Sequence, residues 1–86
     1  MYTAEVRVSL KKGVADPEGS NTRKALELLG FDDVKDVKSQ KVFVISMDAA
    51  DEQIARRKAE EMVKRLLANP VIHNYDIKVT AAEGAV

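Results

Sequence analysis

An α+β sandwich, with two helices on one face of a four-stranded antiparallel sheet, is the fold that three patterns in these 86 residues predict. From Tyr2 to Leu10 the residues Tyr2, Ala4, Val6, Val8 and Leu10 alternate with Thr3, Glu5, Arg7 and Ser9, the period of a strand with one buried face. Two later stretches repeat apolar residues at helical spacing, each followed by extended segments. The resulting order, strand, helix, strand, strand, helix, strand, is that of a split βαβ or ferredoxin-like (βαββαβ) sandwich.

Each element has its own local cause. The run Leu10-Lys11-Lys12-Gly13-Val14-Ala15-Asp16-Pro17-Glu18-Gly19 is a connector: Gly13 supplies backbone freedom, Asp16 suits a helix N-cap and Pro17 the first helical position. The first helix is expected from Pro17 to Leu29, with Thr22, Ala25, Leu26 and Leu29 on its apolar stripe, Leu28 on the flank and Gly30 as terminator. Phe31 reads as a lid on the helix end. Val34 to Lys38 reads as a second strand, turned by Ser39-Gln40 into a hairpin with Lys41 to Met47. That partner strand is apolar on both faces, Phe43, Ile45 and Met47 on one and Val42 and Val44 on the other, which predicts a central or doubly covered position. Asp48 is the expected cap of the second helix, whose stripe is Ala55, Ala59, Met62, Val63, Leu66 and Leu67. Asn69-Pro70 ends it, and Tyr75, Ile77 and Val79 alternate in a last strand. The tail 81–86 has no pattern and is expected to fray.

Composition narrows the function. One domain of this size buries roughly two-thirds or less of its unfolded surface, so support from a second copy or a partner is expected. There is no Cys and one His, which excludes disulfides and thiolate or multi-histidine metal sites. Fourteen basic and fourteen acidic residues are interspersed, unlike the basic surface of a nucleic-acid binder. No apolar run is long enough to span a membrane, and the start Met1-Tyr2-Thr3-Ala4-Glu5 lacks signal-peptide order, so the chain is expected in the cytoplasm.

Candidate chemistry is sparse. His73 with Asp76 could form an acid–base pair, but it lies in a turn with no nucleophile nearby in sequence. Lys11-Lys12 beside Gly13 could attract phosphate, yet no phosphate-loop spacing follows. Asp32-Asp33, Asp48 and Asp51 sit where turns and caps require Asp, which accounts for them without a metal. An RNA-recognition sheet would display several aromatic side chains, and here Phe43 stands alone. An acylphosphatase-like loop would carry an Arg, which Leu10 to Gly19 lacks. A regulatory domain of ferredoxin-like (ACT-type) architecture, binding an amino acid between subunits, stays open.

The segment Val8 to Gly19 resembles the opening of the PurS family, the small subunits of phosphoribosylformylglycinamidine synthase. The likeness continues in Ala25-Leu26-Glu27-Leu28-Leu29-Gly30-Phe31 and in Leu66 to Ile77 around Asn69-Pro70. It departs from the family at Lys12, Ala15, Lys38 to Lys41, Val63 and His73. The resemblance implies a non-catalytic subunit with no cofactor of its own, in a complex whose other members use ATP and Mg. Its implied partners are a large synthetase subunit (PurL) and a glutaminase subunit (PurQ), which it would bridge while helping to keep ammonia from bulk water. Candidate partner contacts are Lys11, Lys12, Gly13, Asp16, Pro17, Asn69 and Pro70. A homodimer or tetramer is expected, with Val42 and Val44 as candidate interface residues on an open sheet face.

Overall fold

The computed structural model describes residues 1–81. At its centre strand β1 (Tyr2–Leu10) pairs antiparallel with both β2 (Gln40–Met47) and β3 (His73–Ala81), in the order β2-β1-β3. Helix α1 (Pro17–Leu28) joins β1 to β2, and helix α2 (Glu52–Met62) joins β2 to β3. The alternation of β1 is realised as read: Ala4, Val6 and Val8 are buried beneath α2 and the turn that follows it. Ala4, Ala55 and Ala59 are all fully buried, and their small side chains let helix and strand approach closely, with Val79 completing the cluster. Val6, Val8 and Val63 form the adjoining cluster.

The helix caps are local chemistry. Asp16 accepts from the Gly19 N–H at 2.9 Å at the start of α1. At the other end Gly30 takes φ +99°, its N–H donating to the Glu27 carbonyl and the Phe31 N–H to the Leu26 carbonyl, a Schellman closure. The cap of α2 is Asp51, which accepts from the Ile54 N–H at 2.9 Å. The expected cap Asp48 lies three residues earlier, and its carbonyl instead accepts from Lys58 Nζ at 3.1 Å. Beyond Met62 the helix widens into a π-helical turn, Val63–Leu67, with the Ala68 N–H donating to the Val63 carbonyl at 3.0 Å. The wider turn rotates the predicted stripe: Val63 is buried, Leu67 half-buried and Leu66 84 % exposed.

The structure corrects the predicted sandwich in four ways. Residues 34–38 form no strand, so the sheet has three strands and not four. The hairpin fails because the Ser39 N–H and hydroxyl both donate to Asp16, holding the segment against the start of α1. β2 is consequently an edge strand, although apolar on both faces. Helix α1 does not cover the sheet as α2 does; α2 packs on β1 and β3, whereas Leu28 and Leu29 of the α1 end are 89 % and 73 % exposed. Ala81, expected in a frayed tail, pairs with Tyr2, and residues 82–86 lie outside those described.

The chain is correspondingly long. Its axes measure 50 × 33 × 15 Å. A nine-residue strand spans about 30 Å and a twelve-residue helix about 18 Å, so α1 and the sheet extend end to end. The radius of gyration, 16.6 Å, exceeds the roughly 12 Å of a compact chain of this length.

Candidate functional site

The antiparallel register brings three connections to one end of the sheet. Ser9 pairs with Gln40 and Asn74, and Leu10 with His73, so the loop after β1, the segment before β2 and the turn before β3 are neighbours there. The Lys11 N–H donates to the Ile72 carbonyl at 2.8 Å, tying the first loop to the last turn. Two motifs almost sixty residues apart in sequence thus form one surface.

Within the first loop Gly13 adopts φ +89°, and the Val14 N–H donates to the Lys11 carbonyl to close the turn. Lys11, Lys12 and Gly13 are exposed, as are Pro17, Asn69 and Pro70. The final turn is built around Asn69. Its side-chain oxygen accepts from the Val71 N–H, its carbonyl from the Ile72 and His73 N–H groups, and its own N–H donates to His73 Nδ1 at 2.9 Å. His73 is therefore a turn acceptor. It lines the helix-side groove with Val8 and Leu10, while Asp76 lies with Glu5, Arg7 and Lys78 on the opposite face, so the imagined His73–Asp76 pair does not form.

Asp16 is the organising side chain. Besides capping α1 it accepts from the Ser39 N–H at 2.7 Å and the Ser39 hydroxyl at 2.8 Å. These donors stabilise the carboxylate and hold its pKa below the ordinary 3.8, the Ser39 backbone contributing most, then the Gly19 backbone, then the Ser39 hydroxyl. Gly19 makes the clasp possible, because a Cβ there would collide with the Val37 carbonyl oxygen. Ser39 and Gly19 were not among the sequence candidates. The Asp16-Pro17 start of the helix is legible locally, but a partner 23 residues away leaves no local signal.

Two open clefts flank this clasp. One, of about 400 Å³, lies between the Lys11–Val14 loop and Asp36 to Gln40, with Lys11, Lys12 and Lys38 at its rim. The other, of about 510 Å³, is more apolar, lined by Val8, Leu10, Pro17, Leu67 and His73. Among the described residues no three or more His, Asp or Glu gather as metal ligands, and no helix is long and apolar enough to cross a membrane. The hydroxyl of Ser39 is engaged by Asp16 and Nδ1 of His73 by a backbone N–H, and the surface around them presents charge, backbone and apolar area.

The face of the sheet away from α2 is patterned too. In register, Glu5 lies opposite Lys78 and Val44, and Arg7 opposite Asp76 and Val42. Val42 and Val44 are 46 % and 68 % exposed, as the sequence reading required of an open face.

Comparison with known proteins adds a family. Residues 3–81 match the family model PurS, phosphoribosylformylglycinamidine (FGAM) synthase. The FGAM synthase subunit PurS of Methanocaldococcus jannaschii is 49 % identical over 83 residues, covering 96 % of this chain and all of that one, and its crystal structure superposes with TM-score 0.87. That of Archaeoglobus fulgidus is 54 % identical over 74 residues, 86 % of this chain and 92 % of the relative. The PurLQS structure from Thermotoga maritima, 22 % identical, shares the fold over 92 % of this chain and 96 % of that one, at TM-score 0.81. The family model and the two relatives from M. jannaschii and A. fulgidus are those of a synthase subunit, which sets aside the amino-acid-binding regulatory domain.

Proposed function

The chain belongs to the PurS family, the small subunits of FGAM synthase in purine biosynthesis, and from that membership we propose that it bridges the glutaminase and the ATP-dependent synthetase without doing chemistry itself. In this reading the glutaminase releases ammonia from glutamine, and the synthetase uses it on formylglycinamide ribonucleotide after ATP activates the amide oxygen. ATP and Mg belong to the partners, and the assembly works in the cytoplasm. The observation that carries the reading is the single surface formed by Lys11, Lys12, Gly13, Asp16, Pro17, Asn69 and Pro70, joined through the Lys11–Ile72 hydrogen bond and offering side chains without a nucleophile–base pair. The PurLQS structure from T. maritima, which shares the fold, supports an assembly of this kind.

Loop and turn variants test it. Lys11→Glu with Lys12→Glu leaves the melting temperature unchanged, because both side chains are exposed, and reduces capture of the synthetase and glutaminase subunits in a pull-down. Undiminished capture by this variant and by Asn69→Ala/Pro70→Ala would remove this end of the sheet from the interface.

Self-association through the open face is the second part of the proposal. Glu5, Arg7, Asp76 and Lys78 form a two-by-two checkerboard of alternating charge. A two-fold axis lying between the stacked faces, perpendicular to the strands, sets Glu5 on Arg7, Lys78 on Asp76 and Val44 on Val42 of the second copy. Val44→Lys would disrupt that stacking, with light scattering as the readout.

A further inference from the structure

We infer that the cleft beside the Lys11–Val14 loop is a binding site for a small phosphate ester, with Lys11, Lys12 and Lys38 as its charged rim. The sequence displays only two of these lysines together, and Lys11-Lys12 without phosphate-loop spacing carries little by itself. The fold adds the third, from the segment that returns after α1. The site shares Lys11 and Lys12 with the docking surface proposed above, but it rests on the cleft alone and is tested without a partner subunit.

The Asp16–Ser39 clasp builds one wall of the cleft. With the Ser39 N–H and hydroxyl donating to Asp16 at 2.7 and 2.8 Å, residues 36–40 are fixed at the start of α1, and Lys38 is held across from the loop. The other wall is anchored separately: the Lys11 N–H donates to the Ile72 carbonyl, and Gly13, at φ +89°, closes the turn. Lys11, Lys12 and Lys38 are exposed, and among the described residues no ion pair engages any of them. Two carboxylates also line the cleft. Both oxygens of Asp16 are already committed to the Gly19 and Ser39 donors, so only Asp36 opposes the three cations with a free carboxylate.

The chemistry of the lining selects the ligand. Its cations are all lysines, with no arginine fork to grip a carboxylate in a bidentate pair, and lysine binds phosphate as a point charge. A phosphate monoester brings close to two negative charges and three acceptor oxygens at neutral pH, enough for several ammonium groups at once, where a carboxylate brings one charge. The volume, about 400 Å³, lies in the range of small-molecule sites and exceeds what a bare phosphate fills. The remaining lining suits the polar body of an ester such as a sugar phosphate: Ser9, Ser20 and Gln40 supply hydroxyl and amide groups, and Val14 and Val37 supply apolar contact.

Titration of the isolated, isotope-labelled full chain with ribose 5-phosphate, followed by amide NMR, tests the site. The Lys12, Gly13, Lys38 and Ser39 amides are expected to shift and to saturate by about 10 mM ligand at low salt. Raising the ionic strength from about 0.01 M to about 1 M, which shortens the screening length from about 30 Å to about 3 Å, is expected to weaken binding. Absence of saturation, or equal shifts around the remote Lys24 and Lys64, would overturn the inference. Ribose producing the same shifts would overturn the role of the phosphate, and inorganic phosphate binding as tightly as the ester would overturn the role of the ester body. Lys38→Ala alters an exposed side chain and is expected to raise the Kd at least about threefold with circular dichroism unchanged. Should its circular dichroism change, Lys12→Ala decides, since the turn there is closed by backbone atoms of Lys11 and Val14. An unaltered Kd in both variants would remove the lysines from the site and refute it.

Discussion

Asp16 shows how one side chain converts local sequence into long-range order. Its carboxylate accepts three hydrogen bonds, from Gly19 and twice from Ser39, and so couples a helix cap to the entry of β2. Because these bonds lower its folded-state pKa below 3.8, the stabilisation is complete above the unfolded value and is lost as pH falls through the folded one. Asp16→Asn removes the charge. Its melting temperature is therefore expected to lie below wild type at about pH 6 and to converge with it toward about pH 2, where the wild-type carboxyl is also protonated. A constant difference across that range would dissociate the clasp from the ionised carboxylate. Gly19→Ala is expected to cost about 1–3 kcal/mol in urea unfolding, because its Cβ meets backbone that cannot step aside. The cap role of Asp16 was legible from Asp-Pro before a helix. Its bond to Ser39 was not, since it joins residues that only the folded chain makes neighbours.

At the scale of elements, β1 was readable to its last residue because a strand with one buried face writes its burial into alternate positions. The existence of α1 was equally readable from Pro17 and Gly30, yet its seat was not, because caps act locally while packing depends on what lies opposite. β2 shows the converse. Apolar residues on both faces suggested a central strand, and the structure makes it an edge with Val42 and Val44 exposed. The π-turn at the end of α2 offers a quantitative contrast. Val63→Ala, at a fully buried site, is expected to cost about 2 kcal/mol, whereas Leu66→Ala in the dilute monomer changes stability by less than about 0.5 kcal/mol. Equal costs in chemical denaturation would mean that Leu66 shares the core and that the turn does not rotate it outward.

For the whole molecule, a small core under one helix, balanced charge and an elongated form fit the proposed role as a subunit of a larger assembly. Membership in the PurS family gives that assembly its identity, and the joined loop and turn at one end of the sheet are the docking surface we propose for it. The family resemblance was legible because the connector and the Asn69-Pro70 turn are conspicuous in sequence; that they meet was visible only in the fold. The most direct test uses purified synthetase and glutaminase subunits and follows FGAM formation from either glutamine or free ammonia, with and without this chain. The account predicts that glutamine-dependent formation falls sharply when the chain is omitted while ammonia-dependent formation persists. Equal glutamine-dependent rates with and without it would contradict the bridging role.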